Sequence, residues 1–300
     1  MTPNGLKRYL RRGLVAFSIV AVLILTLSAL CAPFLTAHDP TEIALADKFA
    51  EPSRAHPLGC DHLGRDVLSR LLYGARTSLG AVAIIAGVIL LFGFAVGATA
   101  GYAGGVFDST LMRICDVFLT FPTFILAMFM IGVLGTGIVN VILAVSLTHW
   151  AWYARIIRSL VLALKNRKHV LAARVSGTGR FMTMVRHVLP PVFAQLAILA
   201  TLDIGHMMMH VSGLSFLGLG VRPPTPEWGV MIADARQYVW THPELIMVPG
   251  LAIFVTVMAF NLLGDALRDA LDPQALEQQV ADNAPRADAA SSESLQEAYQ

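Results

Sequence analysis

Apolar residues in this chain gather into long runs separated by short polar stretches. Neither the alternation of a half-buried strand nor the one-sided stripe of a soluble helix dominates. Six runs stand out, at about 13–35, 78–100, 111–135, 138–160, 191–216 and 245–267. Each supplies the roughly 20 residues that a helix needs to cross a bilayer. A helix also closes its backbone hydrogen bonds internally, which hydrocarbon demands. The pattern predicts an all-α polytopic membrane protein with six transmembrane helices over residues 13–273, preceded by a short segment, 1–12. After Asp272-Pro273 the chain turns to Ala, Gln, Glu, Asp and Ser, and residues 274–300 read as a disordered tail.

Composition agrees. The chain is 56% hydrophobic and 14% charged, where soluble domains carry about a quarter charged residues. A net charge of +2, with no basic tract among aromatics, argues against nucleic acid as a partner. Cys31, Cys60 and Cys115 form neither a disulfide framework nor a C-x-x-C metal pair. The first run is too long for a signal-peptide core, and no small-x-small cleavage site follows it clearly.

Charge also sets an expected orientation. Between Trp150 and Pro190 stand Arg155, Arg158, Lys165, Arg167, Lys168, Arg174, Arg180 and Arg186, with no Asp or Glu among them. The positive-inside rule makes this loop cytoplasmic. Counting spans from it puts both termini inside, and Lys7, Arg8, Arg11 and Arg12 agree. The segment 36–76 then lies outside.

Some positions inside the runs break the apolar pattern. Gly93, Gly97 and Gly101 repeat at small-xxx-small spacing, which lets helix backbones approach closely within the bundle or, alternatively, at a dimer seam. Asp203, His206 and His210 fall at i, i+3 and i+7, one stripe of a helix. Ionisable groups are costly in hydrocarbon, so such a stripe marks either interhelical hydrogen bonding or a polar path. His149 is a further candidate for the path or for an interfacial belt, and Met207 to Met209 read as packing filler.

The cytoplasmic stretch "HVLAARVSGTGRFMTMVRHVLPPV" (169–192) predicts two short helices about a turn at Gly177 and Gly179. Phe181, Met184, Val185 and Val188 share one face of the second, and Pro190 and Pro191 suit the first turn of the fifth span. Such a projecting helix pair fits another protein's groove or an anionic lipid surface. Outside, His56, Cys60, Asp61 and His62 are metal-ligating types that read as either a metal site or structure, with Arg65 and Asp66 as braces. Pro223, Pro224 and Pro226 end any continuous helix after the fifth span.

Residues 169–192 resemble the "EAA" coupling loop of importer permeases of the ATP-binding cassette (ABC) class. Ala172, Ala173, Gly177 and the His187-x-Leu189-Pro190 ending match it, while Leu171 stands where an acidic residue is usual. "HPLGCDHLGRDVLSRLLYGARTSLG" (56–80) resembles the extracytoplasmic signature of the dipeptide, oligopeptide and nickel subfamily, with Cys60 in place of the usual Thr. "LSFLGLGVRPPTPEWGVMI" (214–232) and "GDALRDALDP" (264–273) resemble its late motifs. Residues 146–160 and 199–220 are most similar to the nickel branch. Peptide-importing members usually lack both histidines and carry Glu near position 210.

The resemblance implies a type I ABC importer permease fold in the cell inner membrane, surrounded by lipid. It implies three kinds of partner: a second homologous permease subunit, two ATPase subunits and an extracytoplasmic substrate-binding protein. Ala172, Ala173, Gly177, His187, Leu189 and Pro190, within a loop at about 165–190, would couple to the ATPases. The cargo implied is Ni²⁺ or a nickel chelate, with a dipeptide or oligopeptide as the alternative. His206, His210 and Asp203 are then candidates for the path, because imidazole suits Ni²⁺ and incomplete coordination lets an ion leave. No cofactor and no catalysis by this chain are expected. It has neither G-x-x-x-x-G-K-[ST] nor H-E-x-x-H.

Overall fold

The computed structural model describes residues 3–271, with side chains from residue 13 onward. The expected tail, 274–300, lies outside the described residues. Within them every regular element is helical, apart from one isolated bridge between Cys60 and Asp66. The helices in order are α1 (Pro3–Leu30), α2 (Ala32–Leu35), α3 (Val67–Ala103), α4 (Gly105–Thr120), α5 (Thr123–Leu134) and α6 (Ile138–Lys165). They continue as α7 (Lys168–Val175), α8 (Arg180–Thr183), α9 (Leu189–Phe216), α10 (Trp228–Ala235) and α11 (Glu244–Leu271).

Four described helical stretches are long and apolar enough to cross a membrane: Gly13–Leu30, Val67–Ala103, Arg180–Phe216 and Glu244–Leu271. The pair α4 and α5, bent by 86°, makes a fifth if counted as one span. Six had been expected. The run at 111–135 is not one helix, because Pro122 pushes Phe121 into extended backbone at φ −96° and ψ 139°. The run at 138–160 forms α6, which is 28 residues long. From its middle onward it carries His149, Trp150, Trp152, Tyr153, Arg155 and Arg158, so it is less apolar than the other four.

The bundle is organised around α3 and α6, which pack along much of their length, with α9 against both and α1 and α11 beside it. Glycine permits that approach. A Cβ on Gly93 would lie 2.6 Å from Tyr153 Cβ, one on Gly97 2.4 Å from the Ala154 carbonyl oxygen, and one on Gly101 2.9 Å from that of Arg158. The small-xxx-small stripe is therefore a seam within this chain. Leu91, Phe92, Phe129, Val133, Leu251 and Phe254 face outward, as lipid contact requires.

A polar network ties the segment before α3 to α10. Asp66 caps α3 by accepting from the Ser69 N–H at 2.7 Å and also meets His56 Nδ1 at 3.0 Å. Arg65 donates to Asp61 at 2.7 Å and to Asp234 at 3.1 Å. Arg70 reaches Asp234 at 3.5 Å and donates to the carbonyls of Pro40 and Pro224. Both guanidinium side chains are only 2% exposed. The expected braces are present, and Arg70 and Asp234 complete them. Glu227, fully buried, caps α10 by accepting from the Val230 N–H at 3.0 Å and takes hydroxyl bonds from Ser78 and Ser212. It pins α10 between α3 and α9.

Candidate functional site

The fifth apolar run folds as α9 with Pro190 and Pro191 in its first turn, where the missing N–H groups cost nothing. The stripe at 203, 206 and 210 is then divided by its surroundings. Asp203 is buried against α6, His206 has a side chain 78% exposed, and His210 is half-buried. Met207 and Met208 pack inside, while Met209 faces out.

Asp203 is the centre of a cross-helix cluster. Its Oδ2 meets His149 Nε2 at 3.0 Å and accepts from the Tyr153 hydroxyl at 3.1 Å. His206 Nδ1 stands 3.5 Å from the other oxygen, too far for a good hydrogen bond. His210 donates from Nδ1 to the His206 carbonyl at 2.7 Å. The rings of His149 and His210 are neighbours, tilted by 55° with 6.3 Å between centroids. Trp152 and Phe124 flank them. Phe124 belongs to the first turn of α5, so the break at Phe121–Pro122 opens beside this cluster. Broken helices at such a place are a mark of transport sites. Among the described residues, no group of three or more His, Cys, Asp and Glu is placed to hold a metal ion.

Sequence reasoning found Asp203 and treated His149 as a candidate, but missed Tyr153. The signal was faint: Tyr153 lies four residues after His149, on the same face of a helix.

The outer histidines differ. Burial holds the His62 imidazole below its ordinary value, its ring stacks on Tyr238, and its Nδ1 lacks a partner. Burial pushes the Cys60 thiol up to about 11, so it stays protonated and is a poor ligand. Asp61 is taken by Arg65.

On the loop, α7 and α8 flank Gly177, whose φ of +90° admits the sharp turn. The second helix departs from expectation. After α8 the backbone widens into a π-helical turn over Met184–Val188, which runs straight into α9. The two prolines supply no N–H, and the carbonyls before them adjust register. Met184 and Val188 consequently turn inward, while Leu171, Val175, Phe181, Met182 and Val185 stay exposed. Among the expected coupling residues, Ala172, Gly177 and Pro190 are exposed, and Ala173, His187 and Leu189 are partly buried.

Residues 93–276 match the family described as binding-protein-dependent transport system inner membrane component. The chain is similar to the nickel transport system permease protein of Escherichia coli, with 53% identity over 262 residues, 87% of this chain and 95% of that one. It is similar to the metal-staphylopine import system permease protein of Staphylococcus aureus, with 41% identity over 269 residues, 90% of this chain and 93% of the other. The glutathione transport system permease protein of Pectobacterium atrosepticum is 40% identical over 269 residues, 89% of each chain.

Proposed function

The chain belongs to the family of binding-protein-dependent transport system inner membrane components, and on that premise we propose that it carries nickel, as Ni²⁺ or a nickel chelate, across the inner membrane. The observation that carries this reading is the 53% identity to a nickel permease across 95% of that protein's length. The permease domain is 13–273, with both termini and residues 165–190 on the cytoplasmic side, where Ala172, Ala173, Gly177, His187, Leu189 and Pro190 transmit force from two ATPase subunits. The exposed apolar knob of Leu171, Val175, Phe181, Met182 and Val185 supports that docking role. A second permease chain completes the path, and a binding protein delivers cargo outside. The path passes the α9 face that bears Asp203, His206 and His210.

The glutathione-permease relative favours a peptide as the second reading. Uptake of radioactive nickel and of labelled glutathione, in cells with and without this chain, separates the two. Nickel uptake that depends on the chain is the expected result. Glutathione uptake that depends on it, with nickel unaffected, overturns the proposal.

A further inference from the structure

His149 and His210 share a property that the other intramembrane groups lack. Each has one ring nitrogen committed to an oxygen acceptor. A carbonyl cannot donate, so the His210 Nδ1 facing the His206 carbonyl at 2.7 Å carries the proton. A carboxylate cannot donate either, so the His149 Nε2 facing Asp203 at 3.0 Å carries its proton. In the neutral rings, His210 Nε2 and His149 Nδ1 are therefore left as lone-pair nitrogens. The rings come from different helices and are neighbours, tilted by 55° with centroids 6.3 Å apart. Metal–nitrogen bonds of about 2.0–2.1 Å, with about 1.1 Å from each nitrogen to its ring centre, let two imidazoles share an ion at this separation when it lies between them in a near-linear arrangement.

We propose that His149 and His210 are the cation ligands of this chain, that Asp203 is a positioning residue for His149, and that His206 is not a ligand. This assignment rests on the nickel reading above and divides its residues by role. Metal-bound histidines commonly donate their second N–H to a carboxylate or carbonyl, which fixes the tautomer and raises ligand basicity. Both arrangements occur here. Asp203 is further held by the Tyr153 hydroxyl, and Gly93 gives Tyr153 the room to sit there. His206 has no such fixing bond and is mostly exposed. Two ligands leave the coordination shell incomplete, so the ion is passed on and not retained.

Isosteric amides test this without removing the fixing hydrogen bonds. Gln places its amide N–H near the Nε2 position and Asn near Nδ1. His149→Gln thus keeps the bond to Asp203, and His210→Asn keeps the bond to the His206 carbonyl, while each deletes the free nitrogen. Cells carrying the complete importer are assayed for nickel uptake over a range of concentrations, with co-purification of the subunits as the assembly control. The same complexes, purified without the binding protein, are titrated with Cu²⁺, which binds nitrogen sites tightly. Nitrogen hyperfine structure in the electron paramagnetic resonance spectrum reports ligation. Each variant is expected to assemble, to lose the two-nitrogen signal and to raise the nickel KM by about tenfold or more. Asp203→Asn is expected to raise KM with less effect on maximal rate, and His206→Asn to keep the two-nitrogen signal. Normal nickel uptake by an assembled double variant, His149→Gln with His210→Asn, overturns the assignment while leaving the nickel reading intact. A complex that ligates Cu²⁺ through these two nitrogens but imports no nickel supports the assignment and defeats the cargo reading.

Discussion

The outer lobe and the α6–α9 cluster both concentrate charge and histidine in a largely apolar chain, yet they treat it in opposite ways. Before α3 and on α10, Asp61, Asp66 and Asp234 meet Arg65, Arg70, His56 and the α3 amides, and the guanidinium groups are almost fully buried. In the bundle, Asp203 is bonded to His149 and Tyr153, but the histidines around it keep ring nitrogens uncommitted. A network whose charges are paired fixes geometry. One that stops half-way leaves capacity for a ligand. The contrast favours a structural role for the cluster before α3 and supports the proposed transport role of the α6–α9 cluster, although the residue types in the sequence are similar.

The strongest way to break that contrast is to open the outer network. Arg65→Ala leaves Asp61 and Asp234 short of their main cation, and removing one partner of a buried pair costs about 3–5 kcal/mol. The expected outcome is a loss of thermal stability and protease resistance in the segment before α3, measured on the purified complex. An unchanged melting temperature would show that the network does not brace the lobe.

A smaller effect is expected at the loop. Gly177→Val places a β-branched residue at φ +90°, a left-handed conformation that costs about 1–2 kcal/mol for residues with a Cβ. Nothing lies within 4 Å of the new Cβ, so the strain is in the backbone alone. Nickel uptake should fall while membrane insertion and subunit assembly persist. Normal uptake would detach the turn from coupling.

The smallest effect sharpens the outer half of the comparison. His62 is held neutral by burial, so its folded pKa lies below the ordinary imidazole value of 6.5. Protonation is then easier in the unfolded chain, and the stabilising contribution is complete above 6.5 and is lost as pH falls. His62→Phe retains stacking on Tyr238 and removes the titrating ring. Protease resistance of the lobe measured from neutral to mildly acidic pH should decline less in the variant. Parallel curves would remove His62 from the account.

Much of this architecture could be read from the chain. The apolar runs gave helices, the glycine spacing gave the α3–α6 seam, and the turn at Gly177 was visible in a loop without acidic residues. Some parts needed three dimensions. Pro122 was in plain view, but only the bend of 86° shows that the third run is two helices. The stripe at 203, 206 and 210 was read as one face. A step of three residues turns a helix about 60° short of a full circle, and that offset separates buried Asp203 from exposed His206. The partners of Asp203 and His210 lie on α6, 50 or more residues away, and their meeting depends on how α6 and α9 cross. No spacing along the chain encodes that.

The claim that His149 and His210 hold nitrogens free for cargo can be tested by chemical modification. Diethyl pyrocarbonate acylates unprotonated, accessible imidazole nitrogens, and mass spectrometry locates the adducts. In the purified, complete importer, His149 and His210 should be modified, and added Ni²⁺ should slow both together while leaving the modification rate of His62 unchanged. Modification of His149 and His210 that Ni²⁺ leaves unchanged would contradict the account.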